Sequence, residues 1–347
     1  KGIALNNLKL RASWGRLGNE NALGYYDFLA LISTYNTKYQ GYVKGNGDNA
    51  WAGSIARGLE NRSLKWETTD TKNIGLDFGF FNNKLTGAMN YYYNQTEELL
   101  ITKALPPSAG LNNPILNVGK IRNSGVEVEI NWADSKGGFD YNIGMNFSTT
   151  KNKVVELADK GQVLYGEGLK YGTEHFPTQT RVGKPIGAFY LYKTNGLFQS
   201  NEEARQYVNA DGDEYQPFAD AGDIRYVDVN GDGYIDDDDK VYCGSGIPTL
   251  EVNLNFSAGY KGFDLSVVLG SAWGHKIYNG NKYFYEGMNS GSNFLTSSLN
   301  VWTPQNTNTN IPRAIFNDPN GNLKESDRFI EKGDFVRLRQ LQLGYTL

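Results

Sequence analysis

Residues 222–273 read GDIRYVDVNGDGYIDDDDKVYCGSGIPTLEVNLNFSAGYKGFDLSVVLGSAW, and two unlike segments are joined there. The second segment decides the fold. Val252, Leu254, Phe256, Ala258 and Tyr260 alternate with Asn253, Asn255, Ser257 and Gly259. Beyond Lys261-Gly262, Phe263, Leu265, Val267, Leu269 and Trp273 alternate with Asp264, Ser266 and Gly270, and Val268 is the exception. Successive side chains of a strand point to opposite sides of a sheet, so a period of two gives each strand one apolar and one polar face.

The first segment is acidic and rich in turn formers. Asp228, Asn230, Asp232, Gly233, Tyr234, Asp236 and Asp239 fall at positions 1, 3, 5, 6, 7, 9 and 12 of an EF-hand-type loop. Calcium takes many hard oxygens at short range. Side chains at the first three odd positions supply them, Gly233 allows the sharp turn, and the Tyr234 carbonyl adds another. Ile235 is expected to point inward as an anchor. Asp239 stands where such loops carry a longer, bidentate Glu. No helical pattern flanks the loop, so it is not a helix-loop-helix sensor. The spacing predicts one structural calcium on Asp228, Asn230, Asp232, Tyr234, Asp236 and Asp239; the plainer alternative is a solvated acidic turn.

Moving outward, the hairpin's alternation recurs. Leu8 to Trp14, Ile74 to Phe80, Leu85 to Tyr93, Val126 to Trp132, Phe139 to Phe147 and Leu341 to Leu347 each show it, which with the hairpin makes eight long strands. Many apolar faces end in Trp, Tyr or Phe. Three connections are tight: Asn82-Asn83, Asp134 to Gly138, and Lys261-Gly262. Four excursions are long: Gly15 to Thr71, Gln95 to Ser124, Thr149 to Leu250, and Gly274 to Asp334. Short and long connections alternate strictly, as the periplasmic turns and external loops of outer-membrane barrels do. A soluble sandwich also alternates in polarity, but with shorter strands and more even connections. The fold class expected is all-β: a fragment, of about eight long strands, of a larger antiparallel transmembrane β-barrel. Glu127, Glu129, Asn131, Asn142, Asn146, Asn253 and Asn255 are expected to face the lumen. Val126, Val128, Ile130, Phe147, Leu254 and Phe256 are expected to face lipid.

Composition agrees. Among 347 residues there are 23 Tyr and 41 Gly, but 1 Cys, 3 Met and 2 His, with a net charge of -4. No apolar run could form a transmembrane helix. Cys243 alone cannot make an internal disulfide. No basic patch suggests nucleic acid. His175 and His275 lack a nearby Ser or Cys in a nucleophile pattern and read as loop hydrogen-bonders. Glu127 and Glu129 read as wall residues. No glycine-rich phosphate loop follows a strand. Catalysis is not expected.

Several stretches together carry a resemblance. Leu64-Lys65-Trp66-Glu67-Thr68-Thr69, Asn73-Ile74-Gly75-Leu76-Asp77, Tyr91-Tyr92-Tyr93-Asn94 and Asn123-Ser124-Gly125-Val126-Glu127 are four of them. Gly187-Ala188-Phe189-Tyr190, the loop from Gly222 to Asp239, and Asp334-Phe335-Val336-Arg337-Leu338 are others. In combination they resemble the C-terminal part of a SusC/RagA-type TonB-dependent outer-membrane transporter of Bacteroidetes. The resemblance implies a longer parent with a plug, an N-terminal extension, a TonB box and about 22 strands, of which the plug, the extension and the closing strands are not in this chain. It implies residues 1–347 as barrel wall and 151–249 as one long extracellular loop. It implies import of an oligosaccharide or peptide, with a SusD-like surface lipoprotein as lid, TonB as energy source and outer-membrane lipid around the barrel. Trp51, Tyr165, Tyr171 and Phe176 are candidate ligand contacts, since aromatic faces stack on sugar rings and bury apolar area. The other functions weighed are a passive porin and a calcium-stapled soluble binding or adhesion module.

Overall fold

A computed structural model describes residues 5–21, 23–30, 32–35, 42–43, 50–51, 53–56, 58–103, 107–166, 168–171, 173–286 and 293–347. The eight expected strands are present: β1 (Leu5–Asn19), β2 (Glu67–Phe80), β3 (Leu85–Thr102), β4 (Ile115–Lys136), β5 (Phe139–Thr149), β6 (Leu250–Tyr260), β7 (Phe263–Trp273) and β8 (Phe335–Tyr345). Each pairs antiparallel with its neighbour in the series, from β1 across to β8. A short strand, Lys151–Glu156, pairs with β4 beyond the end of β5. Among the described residues no helix is long and apolar enough to cross a membrane.

The register sorts side chains as the alternation predicts. One row across all eight strands runs Leu10, Leu76, Met89, Val128, Phe147, Val252, Ser271, Val336. The next row of that face runs Leu8, Phe78, Gly87, Ile130, Met145, Leu254, Leu269, Leu338. The row between them belongs to the other face: Lys9, Asp77, Ala88, Glu129, Asn146, Asn253, Gly270, Arg337. Cross-strand neighbours on one face are the unit of sheet stabilisation. Here the apolar ones are packed closely enough that Val128 is 6% exposed in an open sheet. Aromatic rings bound the apolar face at both ends. Phe139, Tyr260, Phe263 and Tyr345 lie side by side near the turns, and Trp14, Tyr91, Tyr93 and Trp273 lie toward the other rim. From the level of Lys136 to that of Val126 a strand climbs about ten residues, roughly 33 Å. At a tilt near 40° that is about 25 Å of height, the thickness of a lipid-facing band.

The turn rim is tight for local reasons. Gly137 and Gly138 have φ of 62° and 79°, and Lys261 and Gly262 have 47° and 84°. Both pairs are two-residue turns with left-handed backbone at each position, the kind whose twist matches the strands. A Cβ on Gly262 would lie 2.8 Å from the Thr346 carbonyl oxygen. The connection after Trp132 is therefore shorter than expected, because β4 continues to Lys136.

The excursions differ from expectation. The one expected from Gln95 to Ser124 shrinks to residues 103–114, since β3 runs to Thr102 and β4 starts at Ile115. The register shifts between Thr96 and Leu99, with Glu98 at φ 57°, so a bulge breaks the alternation while pairing resumes beyond it. The excursions after β5 and β7 hold the buried apolar clusters of the molecule's described part. Tyr192, Leu197, Ile224 and Tyr226 pack with Trp302 of the second excursion. Phe198, Ala204 and Ala219 form another cluster, and Tyr283, Leu323 and Phe329 a third. Together these excursions form a cap on the rim opposite the turns.

Candidate functional site

The acidic loop hangs between two short strands of the cap, Ile224–Tyr226 and Val241–Gly244, each paired into a different small sheet. Gly231 and Gly233, at φ 77° and 93°, let the chain reverse. Asp228 accepts from the amides of Gly231 (2.6 Å) and Gly233 (2.9 Å). Burial works to raise its pKa, but those amides, the Asp232 amide and the Tyr215 hydroxyl together outweigh it and hold the carboxyl below its ordinary value. Asn230 accepts from the Asp232 amide and Asp232 from the Tyr234 amide, each at 2.9 Å. Asp236 caps a single turn, Asp237–Asp239, by accepting from the Asp238 amide. Asp239 is fully buried and joins the loop's ends, accepting from the amides of Val229 (2.7 Å) and Asp236 (2.9 Å). Ile235 packs against the Tyr192–Tyr226 cluster, as expected of an anchor. The donor set is hard oxygen throughout, the chemistry calcium takes. The same oxygens are engaged by backbone amides, and among the described residues no three His, Cys, Asp or Glu side chains are gathered in a metal-holding group.

A charged node ties this loop to the rest of the cap, and sequence reasoning missed it. Lys240 Nζ donates to Glu325 Oε1 at 2.6 Å and lies 2.7 Å from Asp237 Oδ1. The Tyr192 hydroxyl donates to the same Asp237 oxygen at 2.9 Å. His175 Nδ1 donates to Glu325 Oε2 at 2.7 Å, a carboxylate that can only accept. Glu325 and Lys240 side chains are about 5% and 4% exposed. Burial pushes the Glu325 carboxyl up, but the bonds from His175 and Lys240 and the charge of Lys240 outweigh it, holding the group down to about 2. Nearby, Arg313 grips fully buried Asp223 with Nε at 2.8 Å and a terminal nitrogen at 2.9 Å. Both contacts join the excursion after β5 to the one after β7. Their partners are far apart in the chain, so no local pattern could have revealed them.

The expected aromatic contacts separate. Tyr165 and Phe176 come together, with ring centroids 5.4 Å apart, and Tyr165 is half exposed. Phe176 directly follows His175, so this pair sits beside the Glu325 node. Trp51 and Tyr171 lie in short strand pairs, opposite Tyr42 and Thr173, and their side chains fall outside the described residues. Below the cap, the polar face of the wall has shallow depressions. One of about 340 Å³ is lined by Glu129, Asn131, Asn142, Asn146 and Asn255 among others, and a second of about 210 Å³ by Glu127, Glu129, Asn146 and Asn253 among others, so the residues expected toward the lumen line two depressions that share Glu129 and Asn146. His275 packs edge-on to Phe335 with centroids 6.4 Å apart, and Cys243 is a half-buried free thiol.

Comparison with known proteins fits this geometry. Residues 3–270 match the family model described as TonB dependent receptor-like, beta-barrel. The chain is 30% identical over 341 residues to TonB-dependent receptor P3 of Formosa agariphila, covering 98% of this chain and 32% of that protein. It is 27% identical over 351 residues to TonB-dependent receptor SusC of Bacteroides thetaiotaomicron, covering 99% of this chain and 32% of that protein. It superposes on the RagAB peptide importer in its open-open state with a TM-score of 0.75 at 22% identity, over 99% of this chain and 34% of that one. The chain thus spans about a third of the length of the relatives it matches. A continuous eight-strand meander, polar on one face and apolar on the other, with tight turns at one rim and a folded cap at the other, belongs to the TonB-dependent receptor-like β-barrel family.

Proposed function

We propose that this chain is part of the barrel wall and outer vestibule of an energised importer in a bacterial outer membrane, taking up an oligosaccharide or a peptide. The observation that carries the reading is the register. One face is mainly polar across the eight strands, with Ala88 and Val268 among its exceptions, and would line a wet lumen, while the other is apolar for about the thickness of a bilayer. The cap stands over that lumen and offers two aromatic rings, half-exposed Tyr165 and partly buried Phe176, beside a buried charge node. An aromatic face suits sugar rings and apolar peptide side chains alike. The likeness to a peptide importer supports the peptide branch; the name SusC favours neither. A SusD-like surface lipoprotein would close over the cap, because the tight turns of the opposite rim have too little surface for an interface of about 800 Å² per partner. TonB would act through a part of the parent outside this chain.

Calcium belongs to the same proposal as a structural ion. Asp228, Asn230, Asp232, the Tyr234 carbonyl, Asp236 and Asp239 would hold it, and its chemistry would be to neutralise crowded carboxylates. Each carboxylate oxygen has more than one lone pair, so these groups could hold the ion while keeping amide hydrogen bonds. No step of import is routed through it.

The test uses the full-length parent in its own host. Its deletion should abolish growth on one oligosaccharide or peptide mixture, and uptake should stop when TonB is removed. Gentle purification in calcium should bring down a surface lipoprotein. Uptake that persists without TonB would point to a passive pore and reject energised import.

A further inference from the structure

Along the upper aromatic row the apolar face of the wall changes character. Register sets Lys72 beside Tyr93, Tyr93 beside Ser124, and Ser124 beside Lys151. One row higher, Arg122 lies beside Lys153. Lys72, Lys151 and Lys153 are exposed. Among the described residues none of these four cations is ion-paired. Two carboxylates that share the strip are already taken, Asp70 by Arg16 at 2.7 Å and Glu97 by Lys120 at 3.1 Å, and the third, exposed Glu156, stands 4.0 Å from the same Lys120, leaving the cations in excess. The strip therefore has unbalanced positive charge on a face that import does not use.

The same strip borders a cavity. Lys151–Glu156 stays with β4 while β6 begins beside β5, and the sheet forks. In the fork lies a cavity of about 520 Å³, lined by Tyr91, Ser124, Lys151, Tyr242, Ile247 and Lys276 among others. Lys184 Nζ stands 4.6 Å over the Tyr242 ring. Tyr91, Ser124 and Lys151 all belong to the apolar face by register, so the cavity opens on that side. Its floor, Tyr91, and its cation Lys151, which shares a row with Trp14 and Tyr93, both lie at the level of the aromatic belt. Aromatic belts mark the headgroup boundary of a bilayer, and basic pockets at that level take anionic headgroups.

We infer that this cleft binds the phosphate-bearing headgroup of a lipid in the outer leaflet. The phosphate meets Lys151 and Lys276, with Lys153 close by, and the root of an acyl chain lies against Tyr91 and Ile247. The inference rests on the reading that the apolar face meets lipid. Phosphate is favoured over a carboxylate or a protein partner because the donors are separate, flexible ammonium groups around an apolar floor, reached from within the membrane plane.

The experiment takes the full-length parent in neutral phosphatidylcholine nanodiscs and adds bisphosphorylated lipid A, scoring bound lipid by native mass spectrometry. Lys151→Ala/Lys153→Ala/Lys276→Ala should weaken binding about a hundredfold, from the attraction typical of three basic groups at an anionic surface. The triple replacement by Arg should restore it. Enzymatically dephosphorylated lipid A should bind the unaltered protein far more weakly, a comparison that needs no variant to fold. Equal binding by the Ala triple, or by dephosphorylated lipid, overturns the proposal. Displacement of lipid A by inorganic phosphate at equal concentration also overturns it, showing a free-anion site. A parent that stays soluble without detergent would instead reject the membrane reading, before any lipid is added.

Discussion

Glu325 sits where three parts of the cap meet, and its charge is fixed by a buried lysine and a histidine. Removing the Glu325 charge leaves buried Lys240 with Asp237 alone as its counter-charge, at a cost of up to about 3 kcal/mol. Glu325→Gln should therefore loosen the contact between residues 175–176, Lys240 and the excursion after β7, read as faster hydrogen exchange at those segments in the full-length protein. The sign of the pH dependence follows from the direction of the shift. The carboxyl is held down to about 2 in the folded cap, against about 4.3 in an unfolded chain. Its stabilisation is complete above about pH 4.3 and is lost as pH falls toward 2. The cap should keep its exchange protection from neutrality to about pH 5 and lose it below, and Glu325→Gln should flatten that dependence. The acidic loop gives a second prediction. Six aspartates crowd between 228 and 239, so calcium should protect the loop from proteolysis, EGTA should remove the protection, and Asp228→Ala should abolish the difference. Cleavage that ignores calcium in the unaltered protein would leave an acidic turn held by amides alone. The two carboxylates Asp239 and Glu325 show how far sequence reading reaches. Asp239 could be singled out because its partners lie within one loop, although spacing suggested an ion ligand and the structure shows it accepting from the amides of Val229 and Asp236. Glu325 was not, because its partners lie 85 and 150 positions away.

At the scale of strands, alternation fixes which residue faces which solvent, and a slip of one residue would exchange the faces. With Cys243 replaced by Ser, Glu129→Cys should react with a membrane-impermeant thiol reagent and Val128→Cys should not. Equal labelling of both would reject the assigned faces. Ile130→Lys should cost about 2–4 kcal/mol and impair insertion, since it places a charge near mid-band on the lipid side. Glu129→Lys on the wet face should be tolerated. Eight strands were legible because each repeats one pattern over many residues. Their ends were less so where bulges intervene. Beyond Thr96 the register slips at Glu98 and the strand continues unseen. In β8, Val268 pairs with Gln340 and Leu269 with Leu338, so Arg339 is the extra residue of a second bulge. Val336 and Leu338 then share a face with Leu341 and Leu343 although their spacing is odd, which is why only the later pair could be read as one alternating run.

The whole molecule separates two ways of being stable. The wall buries little by itself and relies on neighbours in row and on a surrounding apolar phase; in hydrocarbon an unsatisfied backbone group costs several kcal/mol, so its two outer edges need further strands of the parent. The cap has conventional cores, and these draw on two excursions that the wall holds at one rim. That arrangement could not be read from the sequence, where both excursions looked like long loops without structure of their own. Trp302 is the clearest link. It is 7% exposed and packs from the second excursion into a cluster formed by the first. Truncating a buried Trp typically costs about 3–5 kcal/mol. If the cap is one cooperative unit, Trp302→Ala should lower hydrogen-exchange protection in residues 188–227 and in residues 301–330 by similar amounts, while β3, β4 and β5 keep theirs. The same variant should capture the surface lipoprotein less well, because the partner-facing surface would no longer be held in one shape. If protection falls only in residues 301–330, the excursions fold independently. The charge node and the Arg313–Asp223 contact would then be surface docking between separate loops, and lipoprotein capture should survive.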